Sequence, residues 1–121
     1  MLTREQILAA RENDVDTVDV PEWGGSVGMR KMSCREAEAF HDWLNSRQAD
    51  GSVRVVDLRA TLLSKVLCDA DGKRLFTEDD IEALGEKSSD VMHRLFIRAK
   101  GLNLIVDDAV EETEKNSAAG R

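Results

Sequence analysis

At 121 residues the chain has enough material to bury one modest core. Its formal charge of -7, an aromatic share of 4% and the lack of tyrosine argue against a nucleic-acid-binding face and against attachment to an acidic lipid surface. No stretch approaches the roughly 20 apolar residues of a transmembrane helix, and MLTREQILAA lacks the basic start and apolar run of a signal peptide, so the chain is expected to stay in the cytoplasm where it is made.

Thr3 followed by Gln6 is a capping-box pattern, and Ile7, Leu8 and Ala10 predict a short first helix ending near Asn13. The β-branched run Val15, Thr17, Val18 and Val20 then leads through Pro21-Glu22-Trp23-Gly24-Gly25 to a second extended run from Val27 to Met32. A β-hairpin over about 15–32 with a glycine-bearing turn follows. Ser33 and Glu36 mark the next helix start, with Ala37, Phe40, Trp43 and Leu44 on one apolar face and Gly51 closing the segment. In the helix predicted next, Arg54, Asp57, Thr61, Lys65 and Cys68 form a narrow polar stripe. Val55, Val56, Leu58, Ala60, Leu62, Leu63, Val66 and Leu67 occupy the rest of the circumference, which makes this helix the central one.

Asp69-Ala70-Asp71-Gly72 predicts a tight reversal from which Lys73 to Phe76 run extended. Thr77 caps a short acidic helix, with Asp80 in the place of the usual Glu of a capping box and Gly85 as the C-cap. Ser88 or Ser89 starts the last helix, whose apolar face is Met92, Leu95, Phe96, Ala99 and Leu102. It ends near Asn103, and Gly101 weakens its last turn by about 1 kcal/mol relative to alanine. Residues 107–121, with five acidic and two basic side chains, predict an acidic mobile tail. The expected fold class is α+β, mostly helical: a short N-terminal helix and β-hairpin followed by a small bundle of about four helices (about 34–103), in one compact domain over 1–106.

Few side chains suggest chemistry. Asp69, Asp71, Thr77 and Asp80 fall on ligand places of an EF-hand-like loop over 69–80. Lys73, however, puts an ammonium where an oxygen ligand belongs, Arg74 replaces the turn glycine, and Asp80 is shorter than the bidentate Glu. The loop is therefore a degenerate metal candidate only, with no second loop to pair with, and no cofactor site is expected. His41 and His93 read as solvated side chains, Gly24-Gly25 as a turn, and the carboxylates Glu78-Asp79-Asp80 and Glu111-Glu112 as a helix N-terminus and a solvated tail. Cys34 and Cys68, placed within or at the end of helices, read as reduced thiols. Trp23 at a hairpin tip, with Met29 and Met32 nearby, suits adaptable partner contacts; the competing reading folds Trp23 back onto the helices as core.

Three segments carry a family resemblance: VDVPEWGGSV, SCREAEAFHDW and CDADGKRLFTEDDIEALGEKSSDVMHRLF. In their order the chain resembles the tail assembly chaperones of lambda-like long-tailed phages and prophages, from about Leu2 to Leu104. The resemblance implies a non-catalytic protein of the host-cell cytoplasm that binds the tape measure protein during tail assembly and is absent from the mature virion. It also implies a longer, frameshifted form that recruits major tail protein, this chain being the short form, and it is compatible with a homo-oligomer. Such a partner is long, helical and apolar along its faces, so it aggregates unless many weak, reversible contacts mask it. The family pattern marks no binding surface. The alternative function is a calcium-binding regulatory module with a single degenerate EF-hand-like loop, and the next a generic adaptor domain.

Overall fold

In the computed structural model the described residues are 1–105 apart from Asn13, Asp50, Ser52 and Leu104. The tail expected over 107–121 lies outside them. Thr3 and Gln6 close the anticipated capping box, each side chain accepting the other's backbone N–H at 3.2 and 2.9 Å, and start helix α1 (Arg4–Ala9). The helix stops four residues short of the expected Asn13, because Ala10 is extended and no residue of α1 is buried to reward further turns.

Strand β1 (Asp16–Val20) turns Val18 and Val20 to the core and Thr17 and Asp19 to solvent. Pro21–Trp23 form one tight helical turn, closed by Gly24 at φ +80, and strand β2 (Gly25–Met29) returns antiparallel with Val18 opposite Val27. Ser33 and Glu36 again bond reciprocally, at 3.1 and 2.9 Å, and start α2 (Cys34–Ala49), which buries Phe40 and Leu44 and half-buries Trp43.

Helix α3 (Val55–Val66) is central, packing against α2, α5 and the segment between them, but two residues assigned to its polar stripe sit elsewhere. Thr61 is buried, its carbonyl accepting the Ser64 hydroxyl at 2.7 Å. Cys68 is not helical: Leu67 and Cys68 form a third strand, β3, antiparallel to β2 and giving the sheet order β1-β2-β3. The apolar run Val66-Leu67-Cys68 has no period that separates a helix end from a buried strand. The free edge of β2 decides, with the Arg30 N–H donating to the Val66 carbonyl at 3.0 Å.

The Asp69–Gly72 reversal forms as expected, Gly72 at φ +81, and Thr77 and Asp80 make a capping box ahead of the single turn α4 (Ile81–Leu84). Gly85 is the C-cap of α4, as expected, at φ -63; its small size also counts, since a Cβ there would come within 3.1 Å of Val56 Cγ2. Helix α5 (Ser89–Leu102) buries Val91, Met92, Leu95, Phe96 and Ala99, with Asn103 at its C-cap. The architecture is α+β and mostly helical, four helices following the hairpin among the described residues.

Candidate partner-binding surfaces

The hairpin does not stand free of the helices. Arg94 and Arg98, one turn apart on the outer face of α5, each grip a hairpin carboxylate with two hydrogen bonds: Glu22 at 2.9 and 2.9 Å, Asp16 at 2.7 and 3.0 Å. The guanidinium of Arg94, with a backbone N–H, lowers the Glu22 pKa to about 2; Arg98 lowers that of Asp16. Under the hairpin's exit, Arg30 binds both oxygens of Glu36, which with the Ser33 N–H brings the Glu36 pKa to about 2.

These depressed values fix a pH dependence. A carboxylate that ionises near pH 2 in the fold and near 4.5 when unfolded contributes stability at neutrality, where both states are ionised but only the folded one is paired. That contribution is lost as pH falls from 4.5 towards 2. The urea midpoint is expected to hold from neutrality to about pH 4.5 and to fall below it, and Glu36→Gln is expected to flatten part of the fall. A decline of the same steepness in Glu36→Gln would show that Glu36 is not among the responsible groups.

The three residues read as partner contacts have different fates. Met29 has no exposed surface: its side chain lies in the core at the middle of the sheet, so it has nothing to offer a partner directly. Trp23 and Met32 are half-buried and pack against the same core while keeping an outer edge. The Met32 N–H donates to Asn103 Oδ1 at 2.7 Å, and Asn103 Nδ2 donates to the Ala99 carbonyl at 3.0 Å, tying the hairpin's exit to the end of α5.

The EF-hand-like loop spends its oxygens on the turn. Asp69 Oδ1 accepts from the N–H groups of Asp71 and Lys73 at 2.9 and 3.0 Å, Asp80 Oδ2 from Thr77 at 2.8 Å, and Thr77 Oγ1 from Asp79 at 3.3 Å. Arg74, the cation at the glycine place, donates through Nε and Nη2 to the Ser64 carbonyl at 3.1 and 3.0 Å, satisfying the C-terminal end of α3. Of the thiols, Cys34 is exposed, and burial pushes that of Cys68 up. His93 Nδ1 sits 2.8 Å from Arg59 Nη2, and His41 lies edge-on to the Phe40 ring.

Two further surfaces escape sequence reading. Between α2, α3 and α4 lies a cleft of about 400 Å³, floored by Trp43, Val53 and Ile81 and rimmed by Asp57, Glu78, Asp79 and Glu82, with Arg47 stacked over Trp43 at 6.0 Å. The acidic run that reads as a helix N-terminus thus also edges a cavity. The other surface is α1, whose Ile7 and Leu8 are 57% and 69% exposed, as is Leu2 ahead of it at 71%. No helix among the described residues is long and apolar enough to cross a membrane.

Comparison with known proteins agrees on one group. The family model described as phage tail assembly chaperone matches residues 3–116. The solved structure of the bacteriophage HK97 tail assembly chaperone is similar, with a TM-score of 0.56 and 27% identity over 85% of this chain and 95% of that one. No curated protein matches the sequence.

Proposed function

This chain belongs to the phage tail assembly chaperone family, and from that premise we propose that it binds and solubilises the tape measure protein while a tail is built in the host cytoplasm. In this reading it leaves before the virion is complete, and a longer, frameshifted form recruits the major tail protein. The observation that carries the reading is the family match over residues 3–116. The surface chemistry supports it: half-buried Trp23 and Met32 and the uncovered aliphatic residues of α1 give separate apolar contacts, each weak enough to be reversed when tube subunits arrive. Met29 serves this surface indirectly, by holding the sheet on which Trp23 and Met32 are placed. The role is non-catalytic and uses no cofactor.

Co-expression with the tape measure protein of the same genome tests it. The partner is expected to become soluble and to co-purify, and Trp23→Ala is expected to weaken capture about tenfold while the fold stays intact, as for an aromatic anchor at an interface. A tape measure protein that stays insoluble and unbound with both the short and the frameshifted forms would sink the proposal.

A further inference from the structure

One pocket departs from the acidity of the chain. It lies between the first turns of α3 and α5, holds about 200 Å³, and is lined by Val55, Val56 and Met92 with Arg59, Lys87 and Ser89 around them. Among the described residues no carboxylate lines it, in a chain of net charge -7. Acidic side chains of the same segments serve other places: Asp57, Glu82 and Glu86 line the adjoining cleft, and the charge of Asp90 acts on Arg94. The volume is below the roughly 300–1,000 Å³ of small-molecule sites, which suits a side chain or two of a peptide rather than a cofactor. From the pocket a stripe runs the length of α5, because Ser89, His93, Ile97 and Lys100 recur at spacings of four, four and three. Arg59 Nη2 meets this stripe 2.8 Å from His93 Nδ1, and Val56 and Ile97 are 45% and 51% exposed. Arg59, Lys87 and Lys100 thus border an open aliphatic track.

We infer that the acidic segment 107–112 of the same chain binds this track, Val110 against Val55, Val56 and Met92, and the carboxylates on either side toward Arg59, Lys87 and Lys100. The segment reads DDAVEE, two pairs of carboxylates with an aliphatic centre, which is the converse of an aliphatic pocket between cations. Its starting point suits the path. The Ile105 N–H donates to the Lys100 carbonyl at 3.0 Å and Ile105 is buried, so the chain has already left the axis of α5 and turned onto the core. From Lys100 back to Ser89 the helix rises about 16 Å, and six extended residues after Ile105 reach about 20 Å. The tether gives an effective concentration in the millimolar range, enough for a weak, reversible contact. Composition alone predicts mobility for 107–121; the track supplies the surface that so polar a segment otherwise lacks. Bound, the segment covers Val56 and Ile97 and keeps the basic pocket from acidic segments of other proteins until it is displaced. The inference stands apart from the tape measure reading, and its test contains no tape measure protein.

A nitroxide on Thr113→Cys tests it in the full chain. Cys34→Ser removes the exposed thiol, and Cys68 is buried, so the label goes to one place. Nuclear magnetic resonance is expected to show the amide signals of Val56, Lys87 and Ser89 broadened by the label. Lys87→Glu is expected to remove most of that broadening, as is 1 M salt, where the screening length falls to about 3 Å. Adding Glu111→Lys/Glu112→Lys to Lys87→Glu is expected to restore it, since the charges then match again. Should Lys87→Glu not fold, the salt series reads the same contact. Pocket signals that stay sharp without either change would overturn the inference, whether the pocket is empty or serves an acidic segment of another protein. Broadening that neither Lys87→Glu nor salt reduces would overturn it too, as would broadening passed from a labelled chain to unlabelled chains mixed with it.

Discussion

Met29→Ala is expected to cost about 2–5 kcal/mol of unfolding free energy, the usual range for removing a large side chain from a well-packed core. The side chain is fully buried, and its backbone is flanked by Asp16 in β1 and Leu67 in β3, so neither neighbouring strand can move in without giving up ladder hydrogen bonds. For a domain whose net stability is on the order of 5–15 kcal/mol, the loss is a large fraction of the whole. Urea unfolding should show it as a lower midpoint at unchanged slope. Met32→Ala, at a half-buried site, is expected to cost about 1 kcal/mol. If Met29→Ala instead left the midpoint in place and abolished partner capture, the thioether would have to be a surface contact, contrary to its burial.

What the sequence makes legible here is mostly local. Three capping boxes, Thr3 with Gln6, Ser33 with Glu36 and Thr77 with Asp80, are readable because donor and acceptor lie three residues apart, and each forms. The apolar faces around Phe40 and Leu44 and around Leu95, Phe96 and Ala99 follow from helical period alone. The bidentate pairs that tie the hairpin to α5 are not legible: nothing local to Arg94 or Arg98 points to a partner, and the carboxylates they grip are 72 and 82 residues away. Burial of Thr61 escapes for a related reason. A hydroxyl reads as polar wherever it falls on the helical wheel, but this helix is buried over most of its girth and Thr61 is covered with it.

The loop at Asp69 shows how one pattern supports two chemistries. Asp, Asp and Gly at these spacings favour a reversal for the same reason that they suit a cation: short side chains whose oxygens reach nearby groups. What distinguishes the cases is where the Arg74 cation goes. Its guanidinium satisfies the end of α3 while Asp69 accepts the Lys73 backbone N–H, so the arginine that takes the glycine place of a calcium loop anchors the turn instead. The cleft stays hidden because Trp43, Asp57 and Ile81 come from three helical segments whose convergence is a property of packing.

Gly28→Ala is the second substitution with a large expected effect, and its cause is contact rather than conformation. A Cβ at this position would lie 2.8 Å from the Cys68 carbonyl oxygen, 2.8 Å from Val15 Cγ1 and 3.0 Å from the Asp69 carbonyl oxygen. The valine methyl can rotate aside. The two carbonyls cannot, because Cys68 pairs with Gly28 in the ladder and Asp69 is fixed by its own turn. Relief therefore requires β3 to part from β2, at a cost of about 1–3 kcal/mol. Hydrogen exchange should report the parting at the Arg30 N–H, which donates to the Val66 carbonyl just before β3, more strongly than at amides of α5. Gly101→Ala is the control. It sits within α5 with nothing inside 4 Å of its Cβ position, so alanine there is expected to raise stability by up to about 1 kcal/mol. Equal and small effects at both positions would mean that β3 is not held against β2 as tightly as its hydrogen bonds indicate, and the link between the sheet and the end of α3 would have to be sought elsewhere.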